Sequence, residues 1–220
     1  MNKNTSRPLF LLPFLLFLFS LSLISALNLN PMPSFDFIPS PGSQPLTNDS
    51  DFIRSSCNST LYPDLCYASL EGYSSSVRED PAQLARVAIG VSLKKAKAMA
   101  SYVANVSREA DYSSDPRVCS ALHDCHSNFG DAVEEIQGSL KQMRHLGAAG
   151  SSKETLRFLM SNVQTWMSAA LTDQETCTDG FDDVADGPVK ADVVDRAAYV
   201  KKLTSNALAL VNSYAEKEMS

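Results

Sequence analysis

Val118-Cys119-Ser120-Ala121-Leu122-His123-Asp124-Cys125-His126-Ser127-Asn128-Phe129-Gly130-Asp131-Ala132-Val133-Glu134-Glu135-Ile136 decides the fold. Val118, Leu122, Cys125, Phe129, Ala132 and Ile136 recur at steps of four and three, which lays them along one side of a helix. Cys125 lies inside that apolar stripe, whereas Asp124, Asp131, Glu134 and Glu135 point away from it. The stretch therefore predicts a helix with a core-facing sulfur and an acidic outer surface.

Working outward, Asp115-Pro116 supplies an N-cap carboxylate and a proline at the first helical position, and Gly147 to Gly150 breaks the helix after Leu146. Asp80-Pro81 repeats the start signal upstream. There Leu84, Val87, Val91, Ala98, Tyr102 and Val106 are expected on the buried side, with Lys94, Lys95 and Lys97 in water. Downstream, Ser151 and Glu154 read as a capping box for a third helix. Its stripe of Leu156, Leu159, Val163, Trp166 and Ala170 runs to Thr172, followed by an acidic connection from Asp173 to Gly187 that holds Cys177. Pro188 opens a fourth helix with Val193, Ala197, Val200, Thr204, Ala207, Val211 and Tyr214 inside. No segment alternates as a strand would. Short links between long helices imply antiparallel neighbours, so the expected fold is all-α: an up-and-down four-helix bundle. Ahead of it, Tyr62-Pro63 interrupts the region around Cys57 and Cys66, which reads as a helical hairpin clipped by a Cys57–Cys66 disulfide.

The chain starts like a secretory precursor. Lys3 and Arg7 precede an apolar run from Leu9 to Ile24, and Ile24-Ser25-Ala26 offers a cleavage point, so residues 1–26 are read as a signal peptide. Its removal takes two basic residues and shifts the formal charge from −6 to −8. Such a chain repels nucleic acid and anionic membranes and suits a basic partner. Residues 27–50 carry Pro31, Pro33, Pro39, Pro41 and Pro45 and read as a linker, leaving residues 51–220 as the domain. Asn48, Asn58 and Asn105 each begin a glycosylation sequon.

With five cysteines, at least one is unpaired within a monomer. Cys177 takes either Cys119 or Cys125, and the apolar stripe favours Cys125. Cys119, His123 and His126 share a spacing that suits zinc, yet no fourth ligand accompanies them, and no metal or other cofactor is expected. Asp179, Asp182, Asp183 and Asp186 miss the spacing of a calcium loop. No nucleophile elbow or glycine-rich phosphate loop is present, which argues against an enzyme. Trp166, Phe158 and Phe181 are assigned to the core.

Cys57-x-x-Thr60-x-Tyr62-Pro63-x-x-Cys66, Ala121-Leu122-His123-Asp124-Cys125 with Asp131-Ala132, Trp166-x-Ser168-Ala169-Ala170-Leu171-Thr172 and Thr176-Cys177-x-Asp179-Gly180-Phe181 follow one another in order. Together they resemble the plant invertase and pectin methylesterase inhibitor family over nearly all of residues 51–215. The resemblance implies disulfides Cys57–Cys66 and Cys125–Cys177, no catalysis, and a secreted cell-wall protein that binds an enzyme one to one and blocks its cleft. It places the working face on the second and third long helices, at Asp131, Glu134, Thr176 and Asp179. A Pro-Lys-Phe segment associated with invertase inhibitors is absent, so pectin methylesterase is the expected target, acid invertase the alternative, and a non-inhibitory apoplastic binding module the reading from another class. Cys119 is extra to the family's four cysteines and leaves a disulfide-linked dimer open beside the expected monomer.

Overall fold

The computed structural model describes residues 48–110, 115–146 and 152–219; the expected signal peptide, most of the linker and the Gly147–Gly150 breaker lie outside them. Among the described residues the chain is helical throughout. A short N-terminal group comprises α1 (Asn48–Cys57), α2 (Pro63–Leu70), a 3-10 turn (Glu71–Tyr73) and α3 (Ser74–Val77). Four long helices follow: α4 (Pro81–Glu109), α5 (Pro116–His145), α6 (Lys153–Asp179) and α7 (Pro188–Met219). Each long helix packs on two others in the cycle α4–α5–α6–α7–α4, giving the up-and-down bundle. The expected linker ends three residues early, because Asn48 already begins α1.

Local chemistry sets the helix starts. Asp80 accepts from the backbone N–H groups of Ala82 (2.8 Å) and Gln83 (3.3 Å), and Asp115 from those of Arg117 (3.0 Å) and Val118 (3.3 Å). Each cap is worth about 1 kcal/mol. For α6 the cap is Ser152, whose Oγ accepts from the Thr155 N–H at 3.3 Å. The expected Ser151 cap is thus one residue early, and Ser151 itself lies outside the described residues.

Leu122, Cys125, Phe129, Ala132 and Ile136 are fully buried, as the stripe requires, with Val118 half-buried. On α4 the stripe turns differently. Ala98 is exposed, and Ala85, Ala88, Ser92, Ala96, Met99 and Val103 fill the interior. Small residues let α4 approach its neighbours, a signal that the larger Val87 and Val91 masked. Helix α6 departs furthest from expectation. It runs past Thr172 to Asp179, so Cys177 is helical, and the acidic connection starts only at Gly180. Gln174 and Cys177 extend the buried rhythm of Val163, Met167 and Ala170, so packing overrides the poor helix propensity of the Thr and Asp residues there. Phe181 is fully buried after α6, whereas Phe158 is 65% exposed and does not belong to the core.

Two disulfides are formed, Cys57–Cys66 with Cα atoms 5.6 Å apart and Cys125–Cys177 at 4.1 Å. On the chain-entropy model, loops with sequence separations of 9 and 52 correspond to about 2.7 and about 4 kcal/mol. Cys119 is the free thiol and is buried, not at the surface with the histidines. The clipped hairpin docks through Asn206, a buried residue of α7. Its Nδ2 donates to Tyr62 O (2.9 Å), and its Oδ1 accepts from Tyr62 N–H (3.1 Å).

On the α5–α6 contact, a Cβ added at Gly138 would stand 2.9 Å from two carbons of the Trp166 indole, whereas one at Gly130 meets nothing within 4 Å. Both glycines are helical, so alanine gains up to about 1 kcal/mol in either place from propensity alone. Gly130→Ala is therefore expected to raise the urea midpoint. Gly138→Ala is expected to lower it, by overpacking of about 1–3 kcal/mol that outweighs the propensity gain. The midpoints, followed by Trp166 fluorescence, check the opposite signs.

Candidate functional site

The α5–α6 seam has a covalent end and a packed end. Cys125–Cys177 closes the first, and Trp166 lies across Gly138 near the second, where Ser139 Oγ donates to Val163 O at 3.5 Å. Between them, Glu135 of α5 and Asp173 of α6 meet across the seam, half-buried and hydrogen-bonded to each other. Burial, the Asp173 carboxylate and Asp131 together push Glu135 from 4.5 up to about 7. Burial and Asp131 raise Asp173 as well, while its hydrogen bond with Glu135 opposes the rise. The two carboxyls thus behave as one site holding a shared proton at mildly acidic pH. Glu135 Oε2 is enclosed without a hydrogen-bond partner.

Asp131, Glu134, Thr176 and Asp179 are all exposed, on the two helices expected. Asp131 faces the Glu135–Asp173 pair and acts on both carboxyls. Glu134 is exposed on α5, next in sequence to Glu135. Thr176 spends its hydroxyl proton on Thr172 O (2.8 Å), which leaves its oxygen as an acceptor. Asp179 ends α6, six residues beyond Asp173 and about 9 Å farther along the axis. A carboxylate there opposes the negative end of the helix dipole. Sequence reading missed Glu135 and Asp173 as site residues. Asp131 and Glu135 are four apart and so share a helix face, but Asp173 joins them only once α6 continues through it.

Phe158 stands on the outside of α6 at 65% exposure, on the helix whose Trp166 ring covers Gly138. The other candidates separate. His123 and His126 are exposed while Cys119 is buried, and no group of three ligand side chains able to hold a metal exists among the described residues. Asp182, Asp183 and Asp186 are exposed, and Asp186 pairs with Lys190 at 3.2 Å. Asn48, Asn58 and Asn105 are exposed as well. A cleft of about 190 Å³ between α1, α4 and α7, lined by Phe52, Tyr214 and Lys217 among others, lies apart from the seam. None of the described helices is long and apolar enough to cross a membrane.

Comparison with known proteins bears on the same helices. The family model described as plant invertase/pectin methylesterase inhibitor matches residues 51–210. Pectinesterase inhibitor 9 of Arabidopsis thaliana is 40% identical over 187 residues, covering 84% of this chain and 91% of its own. Pectinesterase inhibitor 3 of the same plant is 39% identical over 166 residues, covering 76% and 80%. The fold is similar to a crystal structure of a mutant pectin methylesterase inhibitor from Arabidopsis, with a TM-score of 0.56 at 18% identity over 71% of this chain and 92% of that one.

The folded Glu135–Asp173 pair holds its proton more tightly than the unfolded chain, whose glutamates release theirs near 4.5. The native state therefore binds more protons between about 4.5 and about 7. The pair's contribution to stability is full below that window and is lost as pH rises through it. Urea midpoints taken across the window are expected to decline with pH, and Glu135→Gln to reduce the decline.

Proposed function

We propose a target for this chain, which belongs to the plant invertase/pectin methylesterase inhibitor family: it inhibits a pectin methylesterase by seating the α5–α6 seam over the mouth of the substrate cleft. The observation that carries this reading is the 40% identity to a pectinesterase inhibitor over most of both chains. The seam supplies a physical basis. It is rigid, held by a disulfide at one end and by Trp166 on Gly138 at the other, so docking orders little backbone. Its exposed carboxylates Asp131, Glu134 and Asp179 suit a cleft rim carrying basic or hydrogen-bond-donating groups, and the Thr176 oxygen adds an acceptor. Phe158 offers an exposed apolar contact beyond the Trp166 end of the seam. Inhibition is then occlusion. One inhibitor covers one enzyme, and no bond of the substrate or inhibitor is made or broken.

Residues 1–26 serve as the secretory signal and residues 27–47 as a linker to the inhibitory domain, which acts as a monomer in the cell wall. Burial of Cys119 argues against a disulfide-linked dimer. The family description also names invertase, which keeps acid invertase as the second reading.

Titration of the purified mature chain against a pectin methylesterase and an acid invertase separates the readings. Saturation at one inhibitor per esterase is expected. Inhibition of invertase alone reverses the choice of target, and inhibition of neither favours a non-inhibitory binding module. Asp131→Arg with Asp179→Arg is expected to weaken inhibition at least about a hundredfold, roughly 3 kcal/mol, by placing like charges against the partner. Helicity by circular dichroism is expected to stay unchanged. Normal inhibition by the double variant moves the interface elsewhere.

A further inference from the structure

The sequon Asn58-Ser59-Thr60 lies inside the Cys57–Cys66 disulfide loop, and all three of its residues are tied down. Asn58 N–H donates to Arg54 O (3.2 Å) and Ser59 N–H to Ser56 O (3.4 Å). Thr60 is held twice by one acceptor: its N–H donates to Cys57 O at 3.0 Å and its Oγ1 donates to the same oxygen at 2.8 Å. Only 8% of Thr60 is exposed, although Asn58 itself faces solvent. Two residues on, Asn206 grips both polar groups of the Tyr62 backbone, fixing the loop against α7. A glycosyl transferase needs the opposite arrangement, an extended sequon with the hydroxyl of its third residue free to dock. Asn105 differs: its sequon lies outside both disulfide loops.

We infer that Asn58 is an N-glycan attachment site whose occupancy is decided by a race between glycan transfer and closure of the Cys57–Cys66 bond. In the transfer, Asn58 Nδ2 attacks the anomeric carbon of a lipid-pyrophosphate-linked oligosaccharide. The anomeric C–O bond breaks, the lipid pyrophosphate leaves with the electron pair, and the amide gives up one proton. In the competing step the Cys57 and Cys66 thiols lose two protons and two electrons to the disulfide of an oxidoreductase, which is reduced to its dithiol. Closure first buries the Thr60 hydroxyl and leaves a bare Asn58. Transfer first puts a glycan beside Leu61, which at 71% exposure is the most exposed large apolar side chain among the described residues. The race requires entry into the secretory pathway and so rests on the secretion assigned above.

The test is expression of the full chain in secreting plant cells. Glycans are released in heavy-oxygen water, and the resulting labelled aspartate at positions 58 and 105 is quantified by mass spectrometry. The wild type is expected to carry a glycan at Asn58 on a minority of molecules. That fraction is expected to at least double both in Cys66→Ser and in wild type synthesised during a dithiothreitol pulse, with Asn105 steady. The pulse arm needs no variant and covers a Cys66→Ser chain that fails to fold. Full occupancy of Asn58 in the untreated wild type, or no rise in either arm, overturns the proposal. Secretion of the chain into the medium with an unchanged Asn58 refutes the race alone. Failure of the chain to enter the pathway removes the secretory reading and this proposal together.

Discussion

The Cys125–Cys177 bond is the constraint on which the rest of the structure depends. It joins two long antiparallel helices near one end and fixes their register. Fourteen residues along α5 from Cys125 is Ser139, and fourteen residues back along α6 from Cys177 is Val163; these two are hydrogen-bonded. The pairing thus persists for about 21 Å with no slip. Every group on the α5–α6 seam inherits its position from that register. A shift of even one residue would turn Trp166 off Gly138 and separate Glu135 from Asp173.

The opposite side of the bundle is held without covalent help. Between α4 and α7, Ser92 and Thr204 share a buried hydroxyl hydrogen bond of 2.7 Å, and Tyr102 donates to Asp192, which Arg196 grips with its Nε at 2.9 Å to each oxygen. The Arg196 guanidinium also lies over the Tyr102 ring, 4.5 Å from its centre. These contacts attract. The α5–α6 contacts include Asp131, Glu135 and Asp173, which repel when ionised. A disulfide and an indole packed on a glycine hold together the pair of helices that these carboxylates push apart once ionised.

The bundle was legible because its signals are local: proline after an aspartate cap, and apolar steps of three and four. Where those steps involve small residues, as at Ala88 and Ala96, the larger Val87 and Val91 point to a different face, and Ala98 is exposed instead of buried. The end of α6 was hidden for a different reason. Thr172, Asp173, Thr176 and Thr178 favour turns over helix, and only packing around Gln174 and Cys177 makes them helical. Losing those two turns concealed the site, because Asp173 cannot be matched to Glu135 on a chain that is not yet helical there. Phe158 differs for a third reason. One phenylalanine near a helix start carries no period that assigns it a side, so its exposure is decided by tertiary neighbours.

Several local rules are broken on α5 and α6. Asp179 opposes its helix dipole, Glu135 and Asp173 set like charges together under partial burial, and Phe158 exposes an aromatic ring. Rules are broken elsewhere too, by Leu61 at 71% exposure and by the positive φ of Arg78 (50°) and Glu79 (56°). The shared proton shows how the conflict is contained. Burial and the neighbouring carboxylates keep Glu135 protonated up to about 7, so the pair presents less negative charge than its formula in the acidic range. A partner that places a cation there would draw the proton off, coupling docking to proton release. The charge of this face is therefore set jointly by pH and by what is bound to it.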